Sequence, residues 1–132
     1  MIYIVGCGQK KLKVMSYAKN MYIGPIFKKA YAYASLRTPD YKIFIISAKF
    51  GLIEPKKMIM PYNEKIGKNE TITIDQVIDQ ATRFGIIDKE ITILAGKSYC
   101  DFLSKVFKNK IDCPLNGLKL GYSEQFLSKG IK

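Results

Sequence analysis

Apolar residues fall in short blocks along this chain, and basic, glycine-containing stretches break them apart. Met1 to Gly8, "MIYIVGCG", predicts a first strand running into a tight loop. Tyr41 to Ile46 predicts a second strand, and "EITILAG", 90–96, a third. Elsewhere the spacing turns helical. In "GPIFKKAYAYASLR", 24–37, Ile26, Ala30, Tyr33 and Ala34 share a face, Pro25 suits a first turn, and Thr38-Pro39-Asp40 stops the run. Thr73 and Asp75 offer caps for "IDQVIDQATRFG", with Gly85 at its end. Ser98 to Phe107 predicts another helix, with Tyr99, Phe102, Leu103 and Val106 on one side. "KIDCPLNGLKLG" holds a short fourth strand and "YSEQFLSKG" a last short helix. Gln9 to Asn20 is basic and irregular. Residues 47–69 form a long connection with two prolines and two glycines, a length that often marks function in a compact domain.

Strands alternating with helices imply right-handed crossovers and a largely parallel sheet. The expected architecture is therefore a single α/β domain over residues 1–132. Its mostly parallel sheet has three to four strands and is flanked by helices. A length of 132 residues fits one domain with a real core. There are no internal repeats and no low-complexity linker.

Charge sharpens the picture. There are 22 Lys plus Arg against 11 Asp plus Glu, a net charge of +11, and nearly all the cations are lysine. Such a balance favours anionic partners: nucleic acid, nucleotides or phosphorylated metabolites. A lysine-rich proteome would also inflate Lys, but it does not account for the shortage of acids. The chain has no histidine, which removes the commonest general base and metal ligand. Cys7, Cys100 and Cys113 match no zinc spacing and are odd in number, so reduced thiols, no metal and no cofactor are expected. No signal peptide is recognisable and no apolar run is long enough to span a membrane, which makes a cytoplasmic location the default.

Three strand ends share a composition: Gly6-Cys7-Gly8-Gln9-Lys10-Lys11, Ser47-Ala48-Lys49-Phe50-Gly51, and Ala95-Gly96-Lys97-Ser98-Tyr99. Each joins small residues to a lysine. In an open α/β sheet the carboxyl ends of the strands form the ligand-binding rim. Small residues there let backbone amides approach an anion, and the lysine adds a point charge. "AGKS" looks like the end of a phosphate-binding loop, but Ile91 stands where that motif needs its first glycine, so a nucleoside-triphosphatase is rejected.

Tyr22 and Tyr62 lie beside glycine or proline turns and suit base stacking, whereas Phe27, Tyr31 and Tyr33 fit helix packing. Cys7 sits in a glycine turn near Lys10 and Lys11, the setting of a reactive thiol, with no histidine to pair with it. Ser47 and Lys49 form a thin Ser–Lys candidate. Glu54 and Glu64 are the acids nearest the long connection; solvation is the simpler role for both.

Four blocks, "YIGPIFKKAYAYA", "FIISAKFGLIEPKKMIMPYNEKIG", "ILAGKSYCDFL" and "CPLNGLKLGYSEQFL", resemble in order a small bacterial and phage family known only as a domain of unknown function. It looks distantly related to the YaaA peroxide-stress proteins, which are regarded as DNA-binding. The resemblance covers nearly the whole chain. By position it implicates Cys7 and Lys11, then Tyr22 and Gly24, then Ser47, Lys49, Gly51, Pro55 and Tyr62. It continues with Gly96, Lys97 and Tyr99, and with Pro114, Leu115, Gly117, Gly121 and Gln125. The family often has histidine where this chain has Phe50, which argues against essential chemistry at that position.

The expected function is a nucleic-acid- or nucleotide-directed domain. Phosphate would bind at Lys11, Lys49 and Lys97, and Tyr22 or Tyr62 would contact a base or sugar. If it is an enzyme, chemistry at a DNA base or N-glycosidic bond is the natural class. A non-catalytic small-molecule nucleotide binder, of the sponge or sensor type, is the alternative. A third reading is an interaction protein whose lysines only confer solubility.

Overall fold

The computed structural model describes residues 1–62, 71–109 and 111–131. β1 (Ile2–Gly6) is the central strand because Ile2 to Val5 are buried on both faces, as a strand covered by helices on each side requires. It pairs in parallel with β3 (Ile43–Ser47) and with β6 (Ile91–Leu94), both buried along their whole length. β7 (Ile111–Asp112) adds a short parallel strand beyond β6. The sheet has five strands, with β4 (Gly51–Ile53) on the outer side of β3, in the order β4-β3-β1-β6-β7.

The mostly parallel α/β fold agrees with the sequence reading, but the strand count does not. The fifth strand is β4 (Gly51–Ile53), which lies inside the segment expected to be only a long connection. It doubles back antiparallel to β3, pairing Ser47 with Gly51 and Ile45 with Ile53. The turn between them forms because Ser47 Oγ accepts the backbone amides of Lys49 (3.1 Å) and Phe50 (3.2 Å). The rest of that connection pairs elsewhere: β5 (Met58–Ile59) makes a two-stranded antiparallel sheet with β2 (Ser16–Tyr17).

Helices cover both faces. On one, α1 (Ala18–Met21), α2 (Pro25–Ser35) and α5 (Leu120–Ile131) pack over Tyr3, Val5 and Ile45. α2 starts on Pro25 and buries Phe27, Ala30 and Ala34. On the other face, α3 (Ile74–Arg83) and α4 (Lys97–Ser104) pack over Ile4, Phe44, Ile46 and Ile93. α3 begins with a capping box, Thr73 and Gln76 each bonding the other's backbone. It ends in a Schellman pair, Ile86 N–H to Ala81 C=O and Gly85 N–H to Thr82 C=O.

The expectation of three reduced thiols is overturned. Cys100 on α4 and Cys113 after β7 form a disulfide, with Cα atoms 6.4 Å apart. The reason is topological: the crossover from β6 through α4 to β7 returns the chain beside the helix that carries Cys100. Cys7 is the free cysteine. Among the described residues no helix is long and apolar enough to cross a membrane.

Candidate functional site

Because β1 is parallel to both its neighbours, the chain leaves β3, β1 and β6 on one edge. The three strand-end loops singled out in the sequence therefore lie side by side. β1 and β6 approach so closely there that a Cβ on Gly6 would fall 2.7 Å from the Ala95 Cβ. A side chain at Gly6 would force the two strands apart.

Onto this edge the fold delivers a thiol, three phenols, a hydroxyl and an ammonium. Tyr22, at the end of α1, is anchored by a backbone bridge to Lys11. Tyr62 arrives from beyond β5, and the two phenols hydrogen-bond to one another. Their rings meet edge to face, with centroids 6.4 Å apart. Tyr99, in the first turn of α4, brings its hydroxyl 3.3 Å from the Cys7 sulfur. The Lys11 ammonium stands 4.6 Å from the Tyr62 ring centroid and 5.9 Å from that of Tyr22. It donates one hydrogen bond to the Gln9 carbonyl, at 3.3 Å. Lysine has three donors, so the cation retains directions in which to meet an anion.

Burial controls how these groups ionise. It pushes the Tyr22 phenol well above its ordinary range; the neighbouring Cys7 adds to this, and hydrogen bonds from Tyr62 and Ser47 oppose it. Tyr62 is raised further, by burial first and then by Cys7 and Tyr22, with Ser47 opposing. Tyr99 is raised by burial and by its contact with Cys7, against a backbone hydrogen bond from Ala48. All three phenols are therefore neutral at physiological pH. They act as hydrogen-bond donors and acceptors, not as bases.

The structure gathers Cys7, Lys11, Tyr22, Ser47, Tyr62 and Tyr99, but not every residue expected to join them. Lys97 is turned to its own helix, 2.7 Å from Asp101, and is fully exposed. The Lys49 ammonium lies over the adjacent Phe50 ring, 5.5 Å from its centroid. Gly96 is the N-cap of α4. Gly51 has φ +73°, and the place of its missing Cβ is filled by the Gln80 carboxamide, so its role is in the backbone. Tyr22 and Tyr62 are 1% and 6% exposed as residues, which leaves no ring face open for a base to stack on. They can present only their hydroxyl edges.

Phe50 packs edge-on against Tyr62, centroids 5.2 Å apart, which gives it a packing role. Glu54 is exposed, and Glu64 lies outside the described residues. The sequence reading passed over Gln80 on α3. Its Oε1 accepts the Leu52 amide and its Nε2 donates to the Phe50 carbonyl, both at 2.8 Å. It thereby closes the outer edge of β4 and holds the Phe50 turn in place. The available signal was a glutamine adjoining the buried Val77 and Ala81 positions of an amphipathic helix.

Among the described residues no group of three or more acids and cysteines is placed to hold a metal ion. What the edge offers is a partly buried cation flanked by neutral hydroxyls, an arrangement that can hold an anionic group and hydrogen-bond its uncharged neighbours. No curated protein matches the chain. Residues 2–129 match the family of unknown function DUF6884, which spans every element that builds the edge, and the chain belongs to that family.

Proposed function

We propose that this domain is nucleic-acid- or nucleotide-directed, and that it takes the phosphate at Lys11 and the adjoining sugar or base at the neutral hydroxyls of Tyr22, Tyr62, Ser47 and Tyr99. One observation carries the reading: a half-buried ammonium held against two tyrosine rings at the carboxyl edge of a parallel sheet. A charge kept there at some desolvation cost has value when an anion arrives. The net charge of +11 supports an anionic partner.

Reaction at a base or N-glycosidic bond is the class we propose if the domain is catalytic. A second reading, a binder without chemistry, is favoured by the neutrality of all three phenols and by the absence of any carboxylate among the six gathered residues. Thermal-shift measurements with nucleoside monophosphates and with single- and double-stranded oligonucleotides test the proposal. A rise in melting temperature with concentration is expected. Silence toward all of them would refute it. Turnover of a bound nucleotide would then separate enzyme from binder.

A further inference from the structure

A crevice of about 130 Å³ opens between the carboxyl ends of β1 and β6. Its origin lies in the winding of the sheet. The chain leaves β1 toward α2 on one face and leaves β6 toward α4 on the other. The two loops diverge, and open α/β sheets bind ligands at such a reversal point. The volume equals about four water molecules of liquid. Ile26, Leu115 and Leu118 contribute apolar walls, and no charged side chain lines the space.

Its polar groups are Cys7, Tyr99 and Ser123. Ser123 is only 6% exposed and contributes its hydroxyl to the lining of the crevice. Hydroxyl and thiol groups both donate and accept, so they suit an uncharged edge of mixed donors and acceptors. An aliphatic ligand would displace water from Ser123 without replacing its hydrogen bonds, and an anion would find no cation there.

We infer that the crevice is a slot for a nucleobase: the walls take the faces of a flat heteroaromatic ring, and Ser123 with the Cys7–Tyr99 pair takes its edge. The inference rests on the proposed nucleotide reading and divides the ligand between two places. Phosphate lies at Lys11, and the base enters between β1 and β6. Cys7 belongs to both and reports on the slot.

The test is the rate at which iodoacetamide alkylates Cys7, located by mass spectrometry on the full chain with its disulfide intact. It is measured alone and with nucleoside 5′-monophosphates, ribose 5-phosphate or inorganic phosphate. A monophosphate of at least one base should slow alkylation about tenfold or more, as occupancy at ten times Kd requires, while ribose 5-phosphate and phosphate leave the rate near that of the free protein. Ser123→Val should weaken the nucleotide and not ribose 5-phosphate; Ser123→Ala serves if the valine variant melts early. If nucleotides raise the melting temperature but leave Cys7 as reactive as before, or if ribose 5-phosphate protects equally well, the base does not enter the slot and only this inference fails. If no nucleotide or oligonucleotide binds, the functional reading fails and takes the inference with it.

Discussion

The Tyr99 hydroxyl meets the Cys7 sulfur at 3.3 Å, although the two residues lie 92 positions apart in the chain. This contact joins the loop after β1 to the first turn of α4. It also links the phenol cluster around Lys11 to the crevice beside Ser123, because Cys7 borders both. The edge is thus one connected set of hydrogen-bonding groups with the half-buried Lys11 ammonium at one end.

The Tyr22–Tyr62 hydrogen bond should show energetic coupling. Tyr22→Phe or Tyr62→Phe alone takes one hydrogen bond from the remaining buried hydroxyl, which keeps Ser47, and should cost about 1–2 kcal/mol. The double variant should cost less than the sum, by roughly 1 kcal/mol. Urea denaturation of the four proteins measures this. Additive losses would show that the two hydroxyls do not depend on each other.

Alkaline stability follows from the same burial. Tyr22, Tyr62 and Tyr99 all have folded-state values raised above the ordinary 10.0. A raised acid holds its proton more tightly when folded, so its contribution is complete below the unfolded value. Stability should then fall as pH rises above about 10, by up to roughly 1.4 kcal/mol per pH unit for each phenol. Tyr99→Phe should make that decline shallower by close to one proton. An unchanged slope would mean that Tyr99 ionises as freely in the folded protein as in the unfolded chain.

Gly51→Ala should destabilise the protein by about 2–4 kcal/mol. It would impose a left-handed conformation on alanine and push the new Cβ into the Gln80 carboxamide oxygen. Gln80→Leu, which removes both edge hydrogen bonds, should cost about 2 kcal/mol. A near-neutral Gly51→Ala in chemical denaturation would contradict the role given to this turn.

Much of the architecture was legible because it depends on local pattern. The apolar run of Ile43 to Ile46 needs only its neighbours to become a buried strand, and Thr73 with Gln76 closes its own helix start. The three strand ends could be aligned on one edge once the sheet was taken as parallel. β4 was hidden because a glycine opens it, and its stability comes from the Ser47 hydroxyl and from Gln80, 28 residues away. The tyrosines were found but misoriented: Phe27 packs against Tyr22, and Phe50 against Tyr62, so packing turned their rings inward. Ser123 carried no local signal, since only the arrival of α5 beside β1 and β6 gives it a crevice to face.

The Cys100–Cys113 bond closes a loop with a sequence separation of 13. Cys100→Ser should lower stability by about 3 kcal/mol under oxidising conditions. The loss should vanish when both proteins are compared in excess reductant. An equal loss in both conditions would assign the effect to packing around Cys100 instead of the bond.

The most direct measurement is the salt dependence of ligand binding in the wild type and in Lys11→Met. Labelled DNA, RNA and nucleotides are titrated from about 50 mM salt upward. Affinity should fall as salt rises, and Lys11→Met should bind about tenfold more weakly with a smaller salt slope. No binding at about 50 mM salt, or a Lys11→Met protein with unchanged affinity and slope, would contradict the assignment of this edge to a phosphate-bearing ligand.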